Sequence, residues 1–332
     1  MKVLYDKDAD EGILNGKTIA IIGYGSQGVA QANMLKDSGV KVIIGETEIL
    51  GGNPNPSWQN AKKDGFEVME IDKAAATADI VHILVPDEFQ ATVYEKQIKP
   101  HMKTGKALCF SHGFNICYKR IVPPKEVDII MVAPKAPGPE ERRVYLEGFG
   151  VPALIAVKQN ASGKAKQIAL AMAKAMHFTK AGVLECTFEQ ETYEDLFGEQ
   201  AVLCGGCTEL VKAGFDTLVE AGYPPEMAYF ECLHELKLIV DLMYKSGLTG
   251  MWKAVSNTAK YGGLTRGKKI ITDETREVMR EMLKAVEDGS FAKEWVEESA
   301  KGRPTLNKLQ EEDFNHPIEK VGKEIRQLFT KK

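Results

Sequence analysis

Lys17-Thr-Ile-Ala-Ile-Ile-Gly-Tyr-Gly-Ser-Gln-Gly28 is the stretch that decides the fold. Its first six residues read as the short apolar run of a buried parallel strand. Gly23-Tyr24-Gly25-Ser26-Gln27-Gly28 follows without a break and opens helical text at residues 29–38. In that context each glycine has its own task. Gly23 makes a tight turn, Gly25 lets backbone approach a pyrophosphate, and Gly28 allows close helix–strand packing. The phosphates of a dinucleotide would meet the helix N-terminus. A Gly-x-Gly-x-x-Gly run alone is weak evidence, and the bland alternative is a tight turn without a ligand. The flanking strand, helix and second strand decide for the ligand.

Strand-like runs recur at residues 40–44, 80–85, 107–110, 129–132 and 153–157, with a weaker one near Val183. Helical text, such as residues 167–176, lies between most of them. This alternation implies right-handed crossovers and an α/β, Rossmann-like, doubly wound parallel sheet. After about Thr187 the strands stop. Helical text then runs through 197–213, 226–246, 251–259, 273–287, 291–301 and 311–331. In the last of these, Ile318, Val321, Ile325 and Leu328 make a one-faced apolar stripe. The expected layout is a dinucleotide-binding domain over 1–187 and an all-helical domain over 188–332.

The 332 residues suffice for two domains with sizeable cores. With 27% charged and 44% hydrophobic residues the composition is that of a soluble globular protein. A net charge of −4 leaves no electrostatic footprint for nucleic acid. No apolar run approaches the roughly 20 residues of a membrane span, and the N-terminus lacks the apolar run of a signal peptide. The six cysteines form no secreted framework, so a reducing cytoplasm is expected. Cys204-Gly-Gly-Cys207 has half of a zinc pattern without the second half and reads as core packing.

The second strand-like run ends at Gly45-Glu46. An acid there usually binds the ribose 2′-hydroxyl of NAD and repels the 2′-phosphate of NADP. The loop 46–57 contains no Lys or Arg, which favours NADH over NADPH. In the opposite reading Glu46 faces solvent and Lys62, Lys63 or backbone groups hold a phosphate. Ligands of open α/β sheets sit beyond the carboxyl ends of the strands. Those ends here read Pro86-Asp87-Glu88-Phe89-Gln90, Ser111-His112-Gly113 and Pro134-Lys135-Ala136-Pro137-Gly138. One His or Lys in such a turn is ordinarily structural; several at one sheet edge point to a site.

Between Lys180 and Lys237 stand twelve carboxylates and one cation, Lys212. Asp195 and Glu199 are four apart, as are Glu231 and Glu235, both pairs in apolar helical text. Residues so spaced share a helix face, where like charges repel. A solvated face is the usual explanation. Leu196, Phe197, Leu233 and Leu236 among the acids, and the dearth of counter-cations, favour a divalent metal instead. Carboxylates suit Mg²⁺, and two pairs could bracket two ions about 4 Å apart.

Asp195-Leu-Phe-Gly-Glu199-Gln-Ala-Val-Leu-Cys-Gly-Gly and Glu231-Cys-Leu-His-Glu235-Leu resemble the metal motifs of ketol-acid reductoisomerase (acetohydroxyacid isomeroreductase). Gly-Tyr-Gly-Ser-Gln-Gly, Ser111-His-Gly-Phe-Asn, Ala133-Pro-Lys-Ala-Pro-Gly and Ser256-Asn-Thr-Ala-Lys-Tyr-Gly also match, in family order. The resemblance spans nearly the whole chain, and the length fits the family's short class. It implies Mg²⁺-dependent alkyl migration in 2-acetolactate or 2-aceto-2-hydroxybutyrate. Reduction by NAD(P)H to a 2,3-dihydroxy acid would follow, in valine, isoleucine and leucine biosynthesis. By resemblance, Asp195 and Glu199 are metal ligands, and Glu231 and Glu235 are metal or substrate groups from the partner subunit. Ser256 meets the substrate carboxylate, Lys135 steadies negative charge, and His112 lines the site. Tyr24 to Gln27 cradle phosphates, Asp87 to Gln90 meet the adenosine side, Gly138 approaches the nicotinamide, and Ser57 is a phosphate or ribose contact. The helical domain of the family is knotted and forms a homodimer. The loop 46–57 departs from NADPH-using members by lacking basic residues. The competing expectations are a metal-independent hydroxyacid dehydrogenase with a helical dimerisation domain, and a non-enzymatic dinucleotide sensor.

Overall fold

The computed structural model describes residues 2–329. It forms two compact units, the first ending at Thr192 and the second beginning at Tyr193.

The first unit is built on a nine-stranded sheet. In chain order the strands are β1 (Val3–Leu4), β2 (Thr18–Ile22), β3 (Lys41–Gly45), a small hairpin of β4 (Ile49–Leu50) and β5 (Asn53–Pro54), β6 (Glu67–Met69), β7 (Ile80–Ile83), β8 (Ala107–Phe110), β9 (Asp128–Pro134), β10 (Ala153–Gln159) and β11 (Val183–Cys186). The sheet order is β1-β11-β10-β9-β8-β7-β2-β3-β6. From β6 through β2 to β9 every pairing is parallel. Strands β2, β7 and β8 are buried along their whole length, which is why their text is continuously apolar. Helices such as Ser26–Asp37 and Ala165–Ala175 cover one face around Ile19, Ile21, Met34 and Met172; Ile22, Tyr94, Phe110 and Phe188 fill the other.

Two features correct the expected all-parallel sheet. Strand β10 runs antiparallel to β9, and the edge strand β1 runs antiparallel to β11. A fully buried strand has the same apolar text in either direction, so periodicity is blind to this. The edge strands β1 and β6 and the β4–β5 hairpin are too short for a periodic signal.

The second unit is helical. It includes Gly205–Glu220, Pro225–Tyr229, Glu235–Ala254, Asn257–Ile270, Asp273–Glu287, Ser290–Ala300, Pro304–Phe314 and Pro317–Phe329. Its core gathers Val211, Phe215, Ala228, Tyr229, Ile318 and Ile325, with Val321 packed against them. Leu328 is 73% exposed, so the apolar stripe ends a turn early. The helix expected over 311–331 is two helices, broken at Pro317, which has no N–H to donate and starts a new helix; residues 330 and 331 lie outside the described residues. The expected helix over 251–259 is also interrupted. Glu235–Ala254, itself kinked at Gly247 (φ 65°), ends at Ala254, and Ser256 caps the next helix by accepting the Ala259 N–H at 3.1 Å. Cys204 is exposed rather than part of a core. No helix among the described residues is long and apolar enough to cross a membrane.

Candidate active site

The strand order reverses between β2 and β7, the position where an open α/β sheet forms its ligand crevice. Parallel pairing brings the carboxyl ends of β2, β3, β7, β8 and β9 to one edge. Gly23, Glu46, the Pro86–Gln90 turn, Ser111-His112 and Lys135 follow those ends.

The glycine turn has the anatomy its sequence suggests. Gly23 has φ 98°, and a Cβ there would lie 2.8 Å from the Val85 amide nitrogen. A Cβ on Gly28 would lie 2.2 Å from the Gly23 carbonyl oxygen, so only glycine lets this helix start so close to the strand. Gly25 is exposed, with open space where a side chain would be. Tyr24 is buried; its hydroxyl donates to Asp64 at 2.8 Å and accepts from Asn33 at 3.1 Å. Burial, reinforced by Asp64, pushes its phenol far above the usual range. Glu46 turns inward, its Oε2 accepting the Tyr24 N–H at 3.1 Å and its Oε1 the Thr47 N–H at 2.9 Å. The carboxylate therefore fixes the turn. Ser57 donates its N–H to the Asn55 cap at 3.0 Å, at the start of the helix Pro56–Lys63.

Asp87, Glu88, Phe89 and Gln90 open the helix Asp87–Val93. Gln90 donates to the Val85 carbonyl at 2.9 Å and to Asp87 Oδ1 at 3.0 Å, and Asn115 donates to the Asp87 carbonyl and to Gln90 Oε1. Burial pushes the Asp87 carboxyl up to about 6, with the charge of His112 opposing. Gly138 packs on the turn so closely that a Cβ would lie 2.3 Å from the Ser26 carbonyl oxygen.

The residue that organises this edge, and that sequence reasoning missed, is Glu191 on the helix Phe188–Gly198. It is 1% exposed. His112 Nδ1 lies 3.1 Å from its Oε2, the Gly113 N–H donates to the same oxygen at 3.1 Å, and Lys135 Nζ donates to Oε1 at 3.1 Å. Because a carboxylate only accepts, the proton on His112 sits on Nδ1. Burial alone would raise the Glu191 carboxyl; the hydrogen bond and charge of His112, joined by Lys135, reverse that and hold it below the usual range. One signal was available: Glu191, Asp195 and Glu199 continue a single four-residue spacing.

Asp195 lies one turn beyond Glu191 on the same helix, and at Glu199 the helix widens into a π turn, Glu199–Leu203, closed by the Cys204 N–H on the Glu199 carbonyl at 3.0 Å. The glycine pair that follows makes this possible, since Cβ atoms on Gly205 and Gly206 would lie 2.2 and 2.1 Å from the carbonyl oxygens of Gln200 and Ala201. Another π turn, Phe230–His234, contains Glu231 and ends immediately before Glu235. Such turns recur at functional sites because they re-aim side chains at a cost in regular bonding. Glu199, Glu231, Glu235 and Ser256 are exposed. Among the described residues, one chain does not gather Asp195, Glu199, Glu231 and Glu235 into a single metal-sized cluster.

Residues 13–182 match the family described as acetohydroxy acid isomeroreductase, NADPH-binding domain, and residues 188–331 match ketol-acid reductoisomerase, C-terminal domain. The chain is 66% identical, over the whole of both chains, to a ketol-acid reductoisomerase (NAD(+)) of the uncultured archaeon GZfos26G2. It is 58% identical to a ketol-acid reductoisomerase (NADP(+)) of Methanocaldococcus jannaschii, over 99% of this chain and 98% of the relative. A solved NADH-preferring ketol-acid reductoisomerase from an uncultured archaean superposes with a TM-score of 0.97 at 66% identity, covering all of both chains. The chain belongs to the ketol-acid reductoisomerase family.

Proposed function

We propose that the protein is a Mg²⁺-dependent ketol-acid reductoisomerase that draws its hydride from NADH in preference to NADPH. Its substrates are 2-acetolactate or 2-aceto-2-hydroxybutyrate. An alkyl group shifts to the neighbouring carbon, and the resulting 2-keto acid is reduced to the 2,3-dihydroxy acid of branched-chain amino-acid biosynthesis. The observation that carries this reading is the buried Glu191 holding His112 and Lys135 beside a dinucleotide turn, with Asp195 next on the same helix.

The donor set Asp195, Glu199, Glu231 and Glu235 is all oxygen, which fits Mg²⁺ rather than zinc. When bound, two such ions would acidify the substrate hydroxyl and polarise the ketone. Asp195 and Glu199 would hold them from one subunit, and Glu231 and Glu235 would reach them across a homodimer. Two observations support the second copy. Among the described residues one chain leaves the two pairs ungathered, and the helical unit exposes large apolar side chains, Leu203 (70%), Tyr244 (92%) and Leu248 (65%), that a second copy would cover. The helical unit is then the family's knotted, dimer-forming domain. Lys135, anchored by Glu191, steadies negative charge on the substrate skeleton; His112, fixed in one tautomer, moves or holds a proton through its other nitrogen; Ser256 meets the substrate carboxylate. Glu46 in the turn and the lack of Lys or Arg in 46–57 support NADH, as does the NAD(+) name of the archaeal relative. Six free cysteines fit a reducing cytoplasm.

The test is acetolactate-dependent oxidation of NADH and of NADPH, each with and without Mg²⁺. Turnover only with Mg²⁺, and kcat/KM higher for NADH, is the expected result. Turnover of keto acids that survives EDTA would instead favour a metal-independent dehydrogenase.

A further inference from the structure

Beneath the glycine turn runs a chain of buried and half-buried polar side chains, of which Glu141, Gln31 and His82 have no part in the proposed chemistry. Glu141, on the helix Gly138–Leu146, is 1% exposed, and its Oε1 accepts from Gln27 Nε2 at 2.8 Å. Its Oε2 is buried without a hydrogen-bond partner. Gln27 Nε2 also faces the Ala136 carbonyl at 3.3 Å, which fixes the amide's orientation, since a carbonyl can only accept. Gln31 must therefore donate to Gln27 Oε1 (2.8 Å), and it also donates to Ser111 Oγ (2.9 Å). That leaves Gln31 Oε1 to accept from the fully buried His82 Nε2 at 2.8 Å. The direction of every link follows from the Ala136 carbonyl.

We infer that Glu141 is a positioning residue for the dinucleotide. Through Gln27 it sets the phosphate-binding turn, and through Gln31 it ties that turn to Ser111, the neighbour of His112. The inference rests on the reading of Gly23–Gly28 as a dinucleotide site. Burial pushes the Glu141 carboxyl up to about 8, with the Gln27 hydrogen bond opposing, so the neutral form predominates at pH 7. The surrounding charges are engaged elsewhere. On the packed helix Ser26–Asp37, Asp37 pairs with Arg142 at 2.6 Å and Lys36 donates to the Asp64 carbonyl. On its own helix Arg143 pairs with Glu140 and Glu147. Ionisation of Glu141 would place a negative charge next to the turn that receives a pyrophosphate.

The experiment is fluorescence titration of NADH into the full-length protein without substrate or Mg²⁺, from pH 6.5 to 9, with wild type, Glu141→Ala, Glu141→Gln and Gln27→Met. Glu141→Ala should raise the Kd at pH 7 about tenfold, and Gln27→Met should do likewise even if Glu141→Ala fails to fold. Glu141→Gln, which mimics the neutral acid, should stay within about twofold. Wild-type Kd should rise at least threefold between pH 7 and 9 while Glu141→Gln stays flat. Unchanged affinity in Glu141→Ala or Gln27→Met, a Glu141→Gln variant as weak as Glu141→Ala, or a flat wild-type profile would each overturn the inference. Failure of the reductoisomerase reading would leave this titration intact, whereas absence of NADH binding in wild type would remove both.

Discussion

Glu191→Gln keeps the shape of the side chain and deletes its charge. The native carboxylate takes three donors, from His112, Gly113 and Lys135, at 1% exposure. Hydrogen bonds to a charged group contribute about 1.5–3 kcal/mol each. A glutamine can still accept on one oxygen, but its NH₂ faces a donor and leaves it unsatisfied, at about 1–3 kcal/mol. Breaking a buried charge pair costs about 3–5 kcal/mol, and the Lys135 share is reduced by solvent because its side chain is 35% exposed. We expect a loss of about 3 kcal/mol. Urea unfolding at pH 7 would show it as a midpoint lower by about 1 M, for a slope of about 3 kcal/mol/M. The pH profile adds a sign. The folded carboxyl lies below its unfolded value, so its contribution is present above about pH 4.5 and is lost as pH falls through the folded pKa. Wild type should therefore lose its advantage over Glu191→Gln in acid. A loss under about 1 kcal/mol at pH 7, or a difference independent of pH, would refute the assignment of Glu191 as the ionised anchor of His112 and Lys135.

Four further outcomes are expected. Glu199→Gln should abolish isomerisation while reduction of the free keto-acid intermediate partly persists; a fully active variant would show that Glu199 binds no metal. Glu46→Ser should shift the ratio of kcat/KM toward NADPH and, by freeing two backbone N–H groups, lower stability by about 1–2 kcal/mol; an unchanged ratio counts against Glu46 as the ribose ligand. Gly28→Ala forces a methyl to 2.2 Å from the Gly23 carbonyl, which should cost about 1–3 kcal/mol or more and weaken NADH binding, readable in one calorimetric titration and one melt. Glu141→Gln should be more stable than wild type at high pH. The raised carboxyl costs nothing below about pH 4.5, where folded and unfolded forms are both protonated. The penalty grows to about 5 kcal/mol as pH rises to about 8, at about 1.4 kcal/mol per pH unit. Equal stability of the two proteins across that range would mean Glu141 is not held neutral.

Local text determined much of this protein. A buried strand, a turn that only glycine can make and acids at a four-residue spacing each leave a mark within a few residues, so β2, the turn Gly23–Gly28 and the spacing of Asp195 and Glu199 were all readable. Tertiary structure decided the rest, because the causes lie far apart in the chain. Glu191 becomes an anchor only when the fold brings it to His112 and Lys135, 79 and 56 residues away. Glu141 looks like one more surface acid in Pro-Glu-Glu-Arg-Arg until the helix packs it against Gln27, 114 residues away. The direction of β10 and the pairing of β1 with β11 depend on chain routing, to which apolar periodicity is indifferent. The π turns at Glu199 and at Phe230 shift hydrogen bonds by one residue, a change the four-residue spacing of the acids does not record.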